Sequence, residues 1–227
     1  MAAAERIARG VTQVAGPTCS CADDAAAFVI AFADELVMID CGTGRSLQKI
    51  LTNMAGAGLN PHQISTLLLT HCHIDHIGTA PELRRRFGCR ILIHDLDADP
   101  VETGDHVRTA ADWYDTDFPP TPIDERLTGE TPALSFGGEV LHGLHMPGHT
   151  PGSVCFYLDR DGQRILFGQD IHGPFLPAFG SDIGQWRTSM GRVLALGADI
   201  LCEGHCGIFQ PRQSVIKYME GMLRRHA

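Results

Sequence analysis

The feature that most constrains the fold is an apolar run that ends abruptly in a cluster of potential metal ligands. Residues 65–70 read STLLLT and residues 71–76 read HCHIDH, so three histidines and one aspartate fall within six consecutive positions. A short apolar run bounded by polar residues is typical of a buried strand. We therefore predict a strand over 65–70 whose carboxyl end presents the side chains of His71, His73, Asp75 and His76.

The same arrangement recurs in the second half of the chain. His149, Asp170 and His205 each follow or end a predicted strand, over 139–146, 164–170 and 199–204. Loops at strand ends are where a rigid scaffold presents functional groups. If the fold brings all seven side chains together, five imidazoles and two carboxylates suit a pair of divalent ions. Zinc is the expected metal, with iron and manganese as alternatives.

The remaining pattern predicts an α/β (α+β) fold in which two packed sheets have helices outside. Further strands are expected over 10–16, 26–32, 35–40, 90–95 and 153–159, with a hairpin turn at 160–163. Helices are expected over 46–57, 81–87, 183–196 and 213–225. The middle of the chain, over 96–132, has weaker periodicity, and we expect a helix near 105–113 followed by a loop. The length of 227 residues predicts a single domain over 1–227.

Charge and hydropathy limit the partners. The 18 basic and 27 acidic residues give a net charge of −9, which disfavours binding to a phosphate backbone. No apolar stretch approaches the roughly 20 residues of a membrane span, and the first residues do not resemble a signal peptide. We expect a cytoplasmic protein that acts on a small molecule and binds neither nucleic acid nor membrane. The oligomeric state is left open, with a homodimer as one option.

Five motifs together resemble a known family. THCHIDH, PGHTPGS, FGQD and EGH, preceded by MIDCGTG, are similar to the ordered motifs of the metallo-β-lactamase superfamily, in its glyoxalase II-like branch. The resemblance extends from about Val11 to His205. It implies an αββα sandwich of two mixed sheets with the metals at the sheet edge.

The resemblance also implies how the ligands are shared. One metal would be held by His71, His73 and His149, and the second by Asp75, His76 and His205. Asp170 would bridge the two metals. Asp40, at the end of MID, would accept a hydrogen bond that orients the site.

The implied reaction is hydrolysis. Two cations would generate a hydroxide that cleaves a small acyl compound, such as a thioester, lactone or other ester. Asp75 would also act catalytically by steering the water or accepting its proton. His172, two residues after Asp170, is the other candidate catalytic residue, and it would either contact substrate or support the site.

An alternative within the same family is an oxidoreductase similar to the iron-dependent persulfide dioxygenases. A single iron would then be held by His71, His149 and Asp170. The segment after Asp170 reads IHGPFLPAFGSD and lacks the Gly-Arg-Thr-Asp-Phe type of sequence expected in that group. This departure argues against glutathione-linked substrates in both interpretations.

Several nearby residues have a simpler interpretation. His94, His142 and His145 lie within predicted strands and are expected to be structural. Cys72 and Cys206 neighbour ligands but should point away from them. Whether Phe175, Phe179 or Trp186 contacts substrate is left open.

Overall fold

Two mixed β-sheets form the centre of the computed structural model, which describes residues 3–168 and 170–226. The first sheet contains, in spatial order, β1 (Glu5–Ala8), β2 (Val11–Ala15), β3 (Ala27–Phe32), β4 (Glu35–Ile39), β5 (Ile64–Leu68), β6 (Arg90–His94) and β7 (Glu125–Leu127). The second contains β13 (Ile208–Phe209), β12 (Ile200–Cys202), β11 (Gln163–Phe167), β10 (Val154–Arg160), β9 (Glu139–His145) and β8 (Ala133–Phe136).

Helices cover the outer face of each sheet. They are α1 (Leu47–Gly56), α2 (Ile74–Ile77), α3 (Ala80–Phe87), α4 (Asp95–Thr103), α5 (Ile183–Leu196) and α6 (Arg212–Arg225). One apolar core lies between the sheets and includes Phe28 and Phe167, whose ring centroids are 5.4 Å apart. A second core packs α1 and α3 on the first sheet, and a third packs α5 and α6 on the second. The predicted α/β sandwich is confirmed.

The sheet topology gathers the strand ends at one edge. Strands β4, β5 and β6 are parallel neighbours, so their carboxyl ends lie side by side. In the second sheet β11 and β12 are also parallel. The residues that follow these strands therefore meet at a common edge, as the ligands of an open α/β sheet usually do.

Most of the predicted elements are present with bounds within a few residues. The hairpin turn is formed by Asp161 and Gly162, both at positive φ, between the paired Arg160 and Gln163. The predicted strand over 164–170 is observed as β11 and ends at Phe167. Gln169 lies outside the described residues. Met1, Ala2 and Ala227 also lie outside the described residues. The single domain over 1–227 stays a prediction.

The predicted helix over 105–113 is wrong except for a short 3-10 helix at Ala111–Tyr114, and the α-helix of this region lies earlier, as α4. His94 caps its start by accepting the Leu96 N–H, and Gly104 ends it in a left-handed conformation. Asp105 then accepts the N–H groups of Val107 and Arg108, which favours a turn over a helix. Pro100 inside α4 had weakened the helical pattern in the sequence. Within the described ranges, no helix has both the length and the apolarity needed to cross a membrane.

Candidate metal centre

The seven predicted ligands meet at the edge where the strands end. Two groups of donor atoms form, and within each group the atoms lie within 4.8 Å of one another. The first group consists of His71, His73, His149 and Asp170, and the second of Asp75, His76, Asp170 and His205. Asp170 belongs to both groups. The structure thus brings together the two ligand sets that the family resemblance implies, with the shared residue in both groups.

Hydrogen bonds fix the rings of the first group. The Nδ1 atom of His149 lies 2.8 Å from the Pro174 carbonyl oxygen, to which it donates, and its Nε2 atom points into the cluster, 2.9 Å from His73 Nδ1. His71 Nδ1 lies 3.0 Å from the Thr70 hydroxyl. The bonds to Pro174 and Thr70 occupy one ring nitrogen each of His149 and His71 and leave their Nε2 atoms for a ligand role.

Asp40 orients the second group through His76. Its Oδ2 atom lies 2.7 Å from His76 Nδ1, and the same oxygen accepts the Thr70 hydroxyl at 2.8 Å. The Thr70 backbone N–H donates to the other carboxylate oxygen at 2.9 Å. His76 is thereby held with Nε2 directed at Asp170, 3.0 Å from Oδ1. This geometry agrees with the orienting role expected of Asp40.

Asp170 lies between the two groups of imidazoles. Its Oδ1 atom is 3.2 Å from His205 Nε2, and its Oδ2 atom is 3.4 Å from His149 Nε2. The other carboxylate, Asp75, approaches His205 Nε2 at 3.1 Å. Both carboxylates are almost fully buried, and one carboxylate that faces two groups of nitrogens is suited to bridge two cations.

The electrostatics favour neutral imidazoles in the first group. Burial is the main cause that lowers the pKa of His71, His73 and His149, and neighbouring imidazoles lower it further. Burial raises the pKa of Asp170, but His76 and His205 outweigh burial and hold that pKa well below its usual range. Neutral imidazoles and an ionised carboxylate are the protonation states that bind metal.

A second, separate observation indicates that this donor set could hold a metal. The Nε2 atom of His71, whose Nδ1 atom is occupied by Thr70, is buried and has no hydrogen-bond partner among the described residues. A buried polar atom without a partner is costly, so such atoms in a native structure point to a ligand. Together with the four donors of each group, this atom indicates candidate sites for divalent metal.

Comparison with known proteins agrees with this geometry. The family model of the metallo-beta-lactamase superfamily matches residues 22–205. The chain belongs to that superfamily.

Named relatives show the same affiliation. An atrochrysone carboxyl ACP thioesterase from Aspergillus fumigatus is 24% identical over 191 residues, and the match covers 84% of this chain and 53% of that protein. A hydroxyacylglutathione hydrolase, or glyoxalase II, from Rhizobium meliloti is 28% identical over 108 residues, which cover 48% of this chain and 34% of the relative. This chain thus spans about half of the thioesterase.

A solved structure shows the shared fold. BJP-1, a subclass B3 metallo-beta-lactamase of Bradyrhizobium japonicum, superposes on this chain with a TM-score of 0.80 at 20% identity. The match covers 98% of this chain and 91% of BJP-1. The predicted family and fold are confirmed, and the names of the relatives agree with the predicted class, a metallo-hydrolase.

A cavity of about 200 Å³ opens onto the candidate metal centre. Its lining includes Asp75, His172 and His205 on the polar side and Trp113, Pro174 and Phe179 on the apolar side. The Phe179 ring lies 4.3 Å from the His73 ring, and the Trp113 ring lies 5.0 Å from Phe179. Of the three aromatic residues whose role was left open, Phe179 lines this cavity. Trp186 is fully buried and packs against Phe175.

The structural interpretation of the other histidines agrees with the geometry. His94 stacks on His145, and His142 stacks on Tyr157, all away from the two donor groups. Cys72 donates its thiol to the Arg108 carbonyl oxygen at 3.4 Å. Cys206 differs from expectation only in forming a third possible donor group with His172 and Glu203.

Sequence reasoning missed three residues that shape the site. Asp97 and Glu203 are fully buried carboxylates that hydrogen bond to the loops carrying the ligands. Tyr114 lines the cavity, and its hydroxyl interacts with Asp75. Glu203 lies in the EGH motif, so its position two residues before His205 was the available signal. Asp97 and Tyr114 lie in the segment with weak periodicity.

Proposed function

We propose that the chain is a metal-dependent hydrolase that holds two divalent ions, zinc first, and cleaves a small ester or thioester. The observation that carries this proposal is the pair of complete donor groups that share Asp170. A mononuclear site would need only one of these groups. The complete second group is therefore the reason to favour the dinuclear hydrolase over an iron persulfide dioxygenase.

Ions bound there would supply Lewis acidity and a water molecule of lowered pKa. The protein's own residues would orient this water and assist the reaction. Asp75 is buried and lines the cavity, where its carboxylate can accept a hydrogen bond from the attacking water and orient it. Tyr114, beside Asp75, can donate from its hydroxyl, because burial raises the pKa of the phenol and keeps it protonated.

His172 is placed to deliver a proton to the departing group. Its Nδ1 atom lies 3.0 Å from Glu203 Oε1, which leaves Nε2 for a partner other than Glu203. Burial lowers the pKa of His172, but the hydrogen bond to Glu203 and the nearby Asp170 outweigh burial and raise it. A proton held there suits an alkoxide or thiolate that leaves as the acyl bond breaks.

The acyl side of the substrate would pack on the apolar wall. Trp113 and Phe179 provide adjacent aromatic rings beside His73. A cavity of about 200 Å³ with such a wall suits a compact apolar acyl group. Two relatives are named thioesterases, which supports thioesters and other activated esters as the class to test first.

The test compares metal-free and metal-loaded protein on a thioester, a lactone and a persulfide. We expect zinc to restore hydrolysis of the thioester or lactone. The variant His149→Ala should lose this activity and one bound ion, whereas His142→Ala, a matched change outside the donor groups, should retain both. Near-normal turnover by His149→Ala would contradict the proposal, and oxygen uptake on persulfide with one iron would favour the oxidoreductase.

A further inference from the structure

A single buried carboxylate joins the two loops that carry the three-histidine group. Asp97 Oδ2 accepts the Cys72 N–H at 3.2 Å and the Thr150 hydroxyl at 2.6 Å. Its Oδ1 atom accepts the Gly152 N–H at 2.8 Å. Cys72 separates His71 from His73, and Thr150 follows His149. All three imidazoles therefore belong to backbone that Asp97 holds.

The carboxylate itself is held in place. It lies in the first turn of α4, the helix whose start His94 caps, and its side chain is completely buried. Gly152 approaches it so closely that a Cβ atom there would lie 2.6 Å from Asp97 Cγ. Thr150 is fixed in turn by Ser153, whose hydroxyl is 2.7 Å from its own. Asp97 is thus a rigid acceptor shared by the two loops, in addition to the backbone bond from the Val154 N–H to the Thr70 carbonyl oxygen at 2.8 Å.

The effect of burial on this carboxylate is opposed by hydrogen bonds from the two loops. Burial raises the pKa of Asp97, and the bonds from Thr150, Gly152 and Cys72 lower it again. A buried acceptor of this kind is costly unless its donors remain in place. The arrangement couples the position of one ligand loop to that of the other.

We propose that Asp97 is the positioning residue of the three-histidine subsite, where it sets the distance between the two ligand loops and so the metal affinity. The inference rests on the proposed function only in requiring that this group binds a divalent ion. It concerns a residue outside both donor groups and outside the cavity lining, which would act through the backbone of the ligand loops.

The test is the variant Asp97→Asn in the full chain, loaded with cobalt(II) as a spectroscopic probe and titrated against a chelator. In either orientation the amide would place its NH2 group against a backbone donor, the Cys72 N–H or the Gly152 N–H, which needs an acceptor. We expect about 10- to 100-fold weaker binding of one of the two ions and a changed visible spectrum, as for other partners that orient ligands.

The matched control is Asp24→Asn. Asp24 is equally buried and accepts bonds from Thr43, Ser20 and Ser46, none of which lies in the two ligand loops. Urea unfolding of both metal-free variants measures the purely structural cost. We expect Asp24→Asn to lose stability while its cobalt affinities stay within about twofold of the parent.

Three results would overturn the proposal. One is an unchanged affinity and spectrum in Asp97→Asn, and another is an equal loss of affinity in Asp24→Asn. Should Asp97→Asn fail to fold, Thr150→Val removes one bond to the same carboxylate and should weaken the same subsite by about 2- to 10-fold. Unchanged binding in Thr150→Val is the third. A parent protein that binds two ions but hydrolyses nothing refutes the proposed function and leaves this inference intact.

Discussion

Replacing His94 with asparagine should reduce the pH dependence of the protein's stability in mildly acidic solution. His94 is only 4% exposed and stacks on His145, with ring centroids 4.0 Å apart and planes at 7°. Its Nε2 atom has no hydrogen-bond partner in the part of the chain that the structure describes. Burial and, next, the His145 ring lower the pKa of His94 to about 4, although Asp95 and Glu130 oppose them.

The direction and the size of this change in stability follow from proton linkage. An unfolded histidine has a pKa of about 6.5, so between about pH 6.5 and 4 the unfolded chain binds more protons at this residue. The stabilisation from neutral His94 is complete above about pH 6.5 and is lost as the pH falls toward about 4. At about pH 5 the loss relative to about pH 7.5 is roughly 2 kcal/mol, from the ratio of the two binding polynomials.

The assay is urea unfolding of chelator-treated parent and His94→Asn protein at both pH values. Asparagine retains an acceptor for the Leu96 N–H at the start of α4, so the helix cap is preserved. The buried histidines outside this stacked pair contribute to both proteins and cancel in the comparison. The variant should lose about 2 kcal/mol less than the parent on acidification. Parallel losses in the two proteins would refute the reasoning.

Three further predictions concern the site. Gly78→Ala would place a Cβ atom 2.2 Å from the Thr43 backbone, so it should cost about 1–3 kcal/mol of unfolding free energy and weaken metal binding. The control Gly56→Ala, which has open space around it, should be neutral or slightly stabilising. Asp40→Asn should weaken metal binding by about 10- to 100-fold in chelator competition because His76 loses its charged acceptor; unchanged affinity would contradict the orienting role. Trp113→Ala should raise KM for apolar acyl substrates by about 3- to 10-fold with little change in unfolding free energy, since this ring is 61% exposed; an unchanged KM would remove it from the acyl wall.

The ligands were predictable because they follow strands in the sequence. A run such as STLLLT identifies a buried strand, and the fold aligns the ends of parallel strands at one edge. His71 and His73 are therefore near the ligands contributed by other strands although His149 is more than seventy positions away in the chain. Motifs at strand ends carry both the local conformation and the chemistry.

The supporting residues were not predictable in the same way. Asp97 contacts Cys72 and Gly152 only because α4 begins directly after β6, where we predicted no helix and where Pro100 weakens the helical pattern. The turn after Asp105 resembled a helix in composition, yet side-chain to backbone bonds at that aspartate determine a turn. Such contacts depend on tertiary packing, which no local pattern encodes.

The most direct test of the central claim is the metal content of the purified protein measured alongside its reaction. Elemental analysis of reconstituted protein should give about two zinc ions per chain, and hydrolysis of a thioester or lactone should rise as the ions are restored. A single bound iron, with oxygen consumed on persulfide and no hydrolysis, would contradict the account.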